Sequence, residues 1–481
     1  MPNKLNRNQK FEHLAYVRRQ VRDTLEGSNK VKSSGELYLP MPSSWIGAEA
    51  ESTPSISKNV NSIVNDKIVA SHIPWKHSNP IYQAYLQRSR FPDITANSLR
   101  AMIGTALIGE PKTELPDSME ILETEVSQDG ESLMEFYIYA LSEVLSAGKL
   151  AIVADVDERN NFYLTTYTAE SNIDWKTRRS NGTEEVIMSS FLEDEEDEKD
   201  HSKFYFIDDL GIPFVEDYID DVPIEGSLTE LKYRGKNFTQ LPIFFAGAAE
   251  NTPDADKIPL LGISDIAISI YQKTADLNNA HFLTCNPTLF IFGASKEETP
   301  KVVGSNVIIG VRNPQGRAEY PATDTTALDH IQGIINDMFK EAASYGANFI
   351  SDGAGRESGE ALGIKQMGRG ANLTQAVRHV GKAIEKALKF IAEMKSEPVD
   401  EVVFLPPTEF SKKTLNAQEL TLLLSAVQQG NLTLDVFLDN LREAGHISDE
   451  KSNEDIKREI ALSKPVLDFR EQAEEIEEDD Q

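Results

Sequence analysis

An α+β fold is what this sequence predicts, and three observations carry the prediction. Apolar residues recur at helical spacing across 80–147, and the period drops to two between 150 and 245. Two long helical stretches, 263–284 and 325–350, then bracket a short insert punctuated by glycine. The length of 481 residues allows about three structural units. With 40% hydrophobic and 26% charged residues, the composition is that of a globular protein.

The first 32 residues form a basic head. Lys4, Arg7, Lys10, Arg18, Arg19, Arg22, Lys30 and Lys32 face only Glu12, Asp23 and Glu26, on a chain whose formal charge is −30. Phe11, Leu14, Val17, Val21 and Leu25 fall at helical spacing, so the head reads as a basic amphipathic helix. It suits an acidic partner, nucleic acid or the chain's own acidic body, and the sequence leaves these open. Residues 33–79, rich in Ser, Pro and Asn, read as an extended connection.

Helical patterning begins at Pro80 with Tyr82, Tyr85, Leu86, Leu99 and Met102, divided by the turn Phe91-Pro92-Asp93. A second stripe, Leu133, Phe136, Tyr137, Ala140, Leu141 and Val144, ends at Gly148 in the expected C-cap position. Residues 150–155 form a buried-strand pattern. Strand alternation follows at 162–167, 185–188, 204–207 and 231–234. Residues 193–200, with seven acids in eight, repel one another and read as a solvated loop.

In the first long stretch Ile263, Ile266, Ala267, Ile270, Thr274 and Leu277 line one face, giving a rod of ~30 Å that Asn286-Pro287 breaks. The insert holds β-like runs at 288–292, 302–303 and 307–311. Thr323 to Thr326 supply N-cap residues for a second rod. Its stripe is Leu328, Ile331, Ile334, Ile335, Met338, Phe339 and Ala342. Residues 351–362 are small, polar and hinge-like. A third long helix is expected over 372–395, a strand over 402–405, and short helices over 417–428, 434–442 and 453–462. The acidic tail 471–481 reads as disordered.

Several function classes are excluded. A pI near 4.7 does not suit a general nucleic-acid binder, which needs surplus Lys and Arg to displace phosphate counterions. Gly148-Lys149 and Gly381-Lys382 lack the rest of a phosphate loop, and H-E-x-x-H and G-x-S-x-G patterns are missing. The eight histidines are scattered, and the run from Gly353 to Gly359 follows a helical pattern instead of a strand. A single cysteine, Cys285, excludes an internal disulfide and a cysteine metal cluster. No apolar run approaches the ~20 residues of a membrane span. The expectation is a soluble, non-enzymatic protein without cofactor or metal.

The order of certain fragments resembles the tailed-phage portal proteins, in particular a portal family long catalogued as a domain of unknown function. The resemblance covers roughly 80–465. It rests on Tyr85-Leu-Gln-Arg88 with Asn97, Ile108-Gly-Glu-Pro111, Leu145-Ser-Ala-Gly148, Ile152-Val-Ala-Asp155 and Ile173-Asp-Trp175. Its most specific run is Pro259-Leu-Leu-Gly262 through Ala275-Asp-Leu-Asn278 to Asn286-Pro-Thr-Leu289, joined by Tyr345-Gly-Ala347 and Asn416-Ala-Gln-Glu-Leu420. The basic head and the acidic loop lie outside the family pattern.

The resemblance implies a portal-like architecture. Residues 1–79 would be an arm and connection, and 80–262 an α/β wing. Two stem helices, 263–284 and 325–350, would hold a small β clip at 285–324. Residues 351–362 would be the channel loop, 363–411 a long wing helix and return strand, 412–465 a helical crown and 466–481 the acidic tail. It also implies a ring of about twelve copies at one capsid vertex, through which double-stranded DNA passes without sequence specificity during packaging and ejection. An acidic wall would repel DNA and favour sliding. The implied partners are the major capsid protein, the terminase large subunit and a head–tail adaptor, with assembly in the host cytoplasm and final residence in the virion. Expected site residues are Ser351, Asp352, Gly353, Arg356 and Glu357 in the channel loop. The clip would offer Lys296, Glu297, Glu298, Lys301, Arg312 and Arg317 to partners. Ile266, Ile270, Ile331, Ile334, Ile335 and Met338 would pack the stem. A non-channel scaffold or adaptor acting through helical faces is the alternative.

Overall fold

The computed structural model describes residues 9–42, 80–157, 159–180, 183–193, 200–285, 290–293, 295, 313, 315–319, 326–345, 359–408, 417–429, 432–443, 447 and 451–463. The fold is mixed helix and sheet, and the chain divides into two compact units, 1–408 and 409–481.

The first unit opens with α1 (Gln9–Glu26) and the short α2 (Ser28–Ser33), followed by α3 (Pro80–Arg88) and α4 (Ile94–Ala106). Asp93 sits at the N-cap of α4, directly after the proline that divides the two helices. The three-residue β1 (Lys112–Glu114) and the single turn α5 (Ile121–Thr124) lead to α6 (Leu133–Ala147). A reciprocal capping box starts α6: the Glu135 N–H donates to Ser132 Oγ, and the Ser132 N–H donates to Glu135 Oε2 at 2.9 Å. Gly148 ends it at φ 84°, where a Cβ would stand 2.8 Å from the Lys257 carbonyl oxygen. Only glycine satisfies both demands.

Two sheets follow. β2 (Lys149–Val156) and β3 (Phe162–Thr168) pair antiparallel, and β12 (Ile243–Gly247) joins the other edge of β2, with Phe244 opposite Ile152. The second sheet runs β4 (Asn172–Ser180), β5 (Thr183–Leu192), β6 (His201–Ile207), β7 (Pro213–Ile219) and β8 (Val222–Pro223), with β9 (Thr229–Glu230) also on β7. A small hairpin, β10 (Lys232–Tyr233) and β11 (Lys236–Asn237), leads back. Because strand side chains alternate, Ala151 and Val153 of β2 face Phe191 and Tyr205 of the second sheet in one core. The opposite face of the first sheet packs on α6 and on the long α9 (Gly359–Lys395), as the Phe244–Phe390 ring contact at 5.9 Å records. Each fully buried side chain such as Phe191 contributes about 2–3 kcal/mol. Helices, small sheet and large sheet therefore form three layers. β15 (Val403–Leu405) closes the unit by pairing antiparallel with β1.

Between the layers and α9 the chain leaves as α7 (Leu261–Cys285) and returns as α8 (Thr326–Tyr345), with β13 (Phe290–Phe292) and β14 (Arg317–Glu319) paired antiparallel at the far end. The second unit holds α10 (Ala417–Gln428), α11 (Leu434–Glu443) and α12 (Asn453–Ser463). Among its described residues Phe437 and Leu438 are buried. Arg442 ties α11 to α12 by donating to Asp439 Oδ1 at 3.0 Å and Asn453 Oδ1 at 2.7 Å.

Several boundaries differ from the sequence-based expectation. Residues 34–42 are not an extended connection: Gly35–Leu37 form a turn of 3₁₀ helix, and Tyr38 and Leu39 are buried. The third long helix begins at Gly359 instead of 372, so 359–362 belong to it and not to a hinge. Propensity is a weak prior, and a helix whose later turns bury Leu373, Val377, Val380, Ile384 and Leu388 propagates back through glycines at small cost per residue. β1, β4, β7, β12 and β14 were not among the expected strands, nor were the two-residue β8, β9 and β11. The channel-loop residues Ser351, Asp352, Gly353, Arg356 and Glu357 lie outside the described residues, as do 43–79 and 194–199.

Candidate functional site

The candidate site is the rod pair with its β tip. At 1.5 Å per residue the 25 residues of α7 and the 20 of α8 make rods of about 37 and 30 Å. Ile266, Ile270 and Leu277 of α7 pack with Ile335 and Ala342 of α8, joined by the partly buried Leu328, Ile331 and Met338. Of the six expected packing residues, five are in this one cluster. Ile334 lies outside it, half-buried.

The first rod buries a second face as well. Ala267, Tyr271 and Ala275 pack against Tyr38, Tyr82, Tyr85 and Phe91 of the preceding segments. Here fragments far apart in sequence meet. Tyr85 Oη donates to Asp276 Oδ1 at 2.6 Å, Arg88 donates to Asn279 Oδ1 at 2.9 Å, and Asn278 Nδ2 donates to the Arg88 carbonyl at 3.0 Å. Burial first, then the Asp276 carboxylate, hold the Tyr85 hydroxyl well above its ordinary pKa, so it donates at any physiological pH. The Arg88 guanidinium also lies 4.1 Å above the Phe282 ring. The Tyr85–Arg88 and Ala275–Asn278 fragments were visible as family markers, yet nothing local in either showed that they join. Tyr85→Phe, which removes the buried hydroxyl that donates to the exposed Asp276 carboxylate, is expected to lower stability by about 1 kcal/mol in chemical denaturation.

The basic head docks on its own body. Arg22 is bracketed by two carboxylates: its Nη1 and Nη2 donate to Glu143 at 2.7 and 2.6 Å, and its Nε and Nη2 to Glu170 at 3.0 and 3.1 Å. Burial alone raises the Glu170 pKa, but the Arg22 donors and charge outweigh it and hold the carboxyl below its usual range. Arg18 donates to the Ala169 carbonyl at 3.2 Å. Gln20 donates to Asp265 Oδ1 at 2.6 Å, near the start of α7. Arg18 and Arg22 of α1 thus meet the chain's own body, while Lys4 and Arg7 lie outside the described residues.

Away from its root the rod pair is incompletely covered. Phe282 and Leu283 near the end of α7 are 47% and 62% exposed, and Phe339 of α8 is 42% exposed. Phe339 borders a groove of about 610 Å³ between α7, α8 and the start of α4, lined by Phe91, Ile94, Leu277 and Ile335 with Arg90 and Asp93 among its polar residues. At the tip, Gly293 turns at φ 78°, and Arg317 lies 4.8 Å over the Phe292 ring, beside Glu319 at 3.8 Å. Of the expected clip contacts only Arg317 is described. Lys296, Glu297, Glu298, Lys301 and Arg312 lie outside the described residues. Among the described residues no group of His, Cys, Asp and Glu could hold a metal ion, and no helix is long and apolar enough to cross a membrane.

Residues 259–394 match the family described as Domain of unknown function (DUF4055), a stretch that takes in both rods, the tip and most of α9. No curated protein matches the chain. Among solved structures it is similar to a chain in the neck of an empty GTA particle, at 9% identity and a TM-score of 0.40, over 75% of this chain and 92% of that one. A chain from the virion of a native gene transfer agent particle is similar at 8% identity and a TM-score of 0.39, over 73% and 89% respectively.

Proposed function

We propose that this chain is a portal protein of a tailed phage. In this reading about twelve copies close into a ring at one capsid vertex and form the channel for genome packaging and ejection. The observation that carries the reading is the antiparallel rod pair with a β tip, rooted in a layered α/β body. A rod pair that leaves Leu283 62% and Phe339 42% exposed gains burial when a neighbouring copy stands beside it. The family match over the rods, tip and long helix supports treating them as one recurring unit. The net charge of −30 suits a wall along which DNA slides instead of sticking.

In the same reading the chain performs no bond chemistry. The terminase large subunit and head–tail adaptor dock at the tip, where Arg317 is one contact, and the capsid protein surrounds the ring. Light scattering combined with negative-stain imaging of the purified chain tests this. The expected result is a closed ring of roughly ten or more copies with a central hole. A monomer at every concentration overturns the reading, and an open assembly or dimer favours a scaffold or adaptor.

A further inference from the structure

Lys149 is buried at the start of β2, directly after the glycine that ends α6. Its Nζ donates to the carbonyl oxygens of Thr252 and Asp254, and to that of Glu250 at 3.4 Å. These three carbonyls belong to alternate residues of the loop 248–257, which joins β12 to the turn before α7. Three carbonyl dipoles aimed at one point repel each other unless a cation stands between them. An ammonium with three donors matches them one to one. The charged groups facing Lys149 are Asp256, Asp254 and Glu250 from the loop and Arg18 from α1. Burial pushes Lys149 down to about 8 against the pull of those carboxylates, so the ammonium persists at neutral pH.

The same loop grips the long helix α9. Asn251 Nδ2 donates to the His379 carbonyl at 2.8 Å, and Gln375 Nε2 donates to the Ala249 carbonyl at 3.1 Å. His379 Nδ1 lies 3.2 Å from the Gly247 carbonyl, which fixes the proton on that nitrogen. Asp256 holds the loop's own shape: its carboxylate accepts from the N–H groups of Ala249, Glu250 and Lys257 at 2.7, 3.0 and 2.8 Å. Four residues beyond Lys257 the chain enters α7, whose Ser264 and Asp265 are held by Gln20.

We infer that Lys149 is a tethered cation that locks a joint between the first rod and the long helix α9. The carbonyl cage is the lock, and the ammonium is its occupant. Loss of the charge lets the three carbonyls diverge, and the loop then releases both α9 and the root of α7. The inference stands whether or not the chain forms a ring.

Hydrogen–deuterium exchange on the full chain tests it. Lys149→Met keeps most of the volume and removes the charge. It is expected to raise exchange about tenfold in 247–257, in 261–268 of α7 and in 375–380 of α9, while the second unit is unchanged. Lys149→Gly should behave likewise and regain protection in propylammonium, which can enter the vacated space, but not in tetramethylammonium, which has no N–H. Unchanged exchange in Lys149→Met overturns the inference, and so does an increase confined to 247–257, which would make the lysine a local brace. If neither variant folds unaided, refolding Lys149→Gly with each amine decides: recovery in propylammonium alone supports the lock, and equal failure in both overturns it.

Discussion

Ile335→Asp is expected to break the rod pair within a single chain and to abolish any ring. Ile335 is 3% exposed and packs in one apolar cluster with Ile270 and Leu277 of α7. An unpaired charge there should lower stability by about 4 kcal/mol, an effect large enough to read directly as a fall in denaturation midpoint. Phe339→Glu separates folding from assembly. Its side chain is already partly in water, so the chain should fold within about 0.5 kcal/mol of the parent. Under the portal reading that variant nevertheless fails to form rings, since its charge falls on a face that a neighbour covers. Intact rings from Phe339→Glu would remove this groove from the inter-copy contact. Native stability in Ile335→Asp would contradict the packing described for α7 and α8.

Arg22→Ala should detach α1 from the body. The side chain of Glu143 is only 10% exposed and would lose both of its donors, leaving a largely buried carboxylate without a partner. About 3 kcal/mol is expected, read as loss of exchange protection in α1 and a lower unfolding midpoint. The pH dependence has a definite sign. Glu170 has a folded pKa below the ordinary range of a glutamate, so its contribution is fully present above that range and is lost as pH falls through the folded pKa. Arg22→Ala should therefore flatten the acid limb of the stability profile as well as lower its plateau. An unaltered acid limb would show that the Arg22–Glu170 contact contributes nothing to α1 docking.

Much of this architecture was legible where local chemistry and global fold agree. Ser132, Glu135 and Gly148 announce both ends of α6, and the stripes from Ile266 to Leu277 and from Leu328 to Ala342 announce the rods. Legibility failed where the cause lies far away in sequence. Arg22 finds Glu143 across 121 positions and Glu170 across 148, so no window around the basic head shows its partner. The start of α9 at Gly359 was missed for the same reason, since packing of its later turns outweighs the glycines near its beginning. Within the candidate site the packing residues could be read from periodicity. The Tyr85–Asp276 and Asn278–Arg88 joints could not, because neither partner is unusual in its own neighbourhood.

The pairing of β1 with β15 has a consequence in time. Thr113 meets Phe404, so strands almost three hundred positions apart must find each other before the body of the first unit is closed. A ribosome delivers the rods well before it delivers that last strand. Late closure of this kind slows folding, because the entropy of a long loop is spent before its contacts form. A nascent chain therefore holds its apolar rods beside an unfinished body, and chaperone protection matters most in the interval before residue 405 emerges.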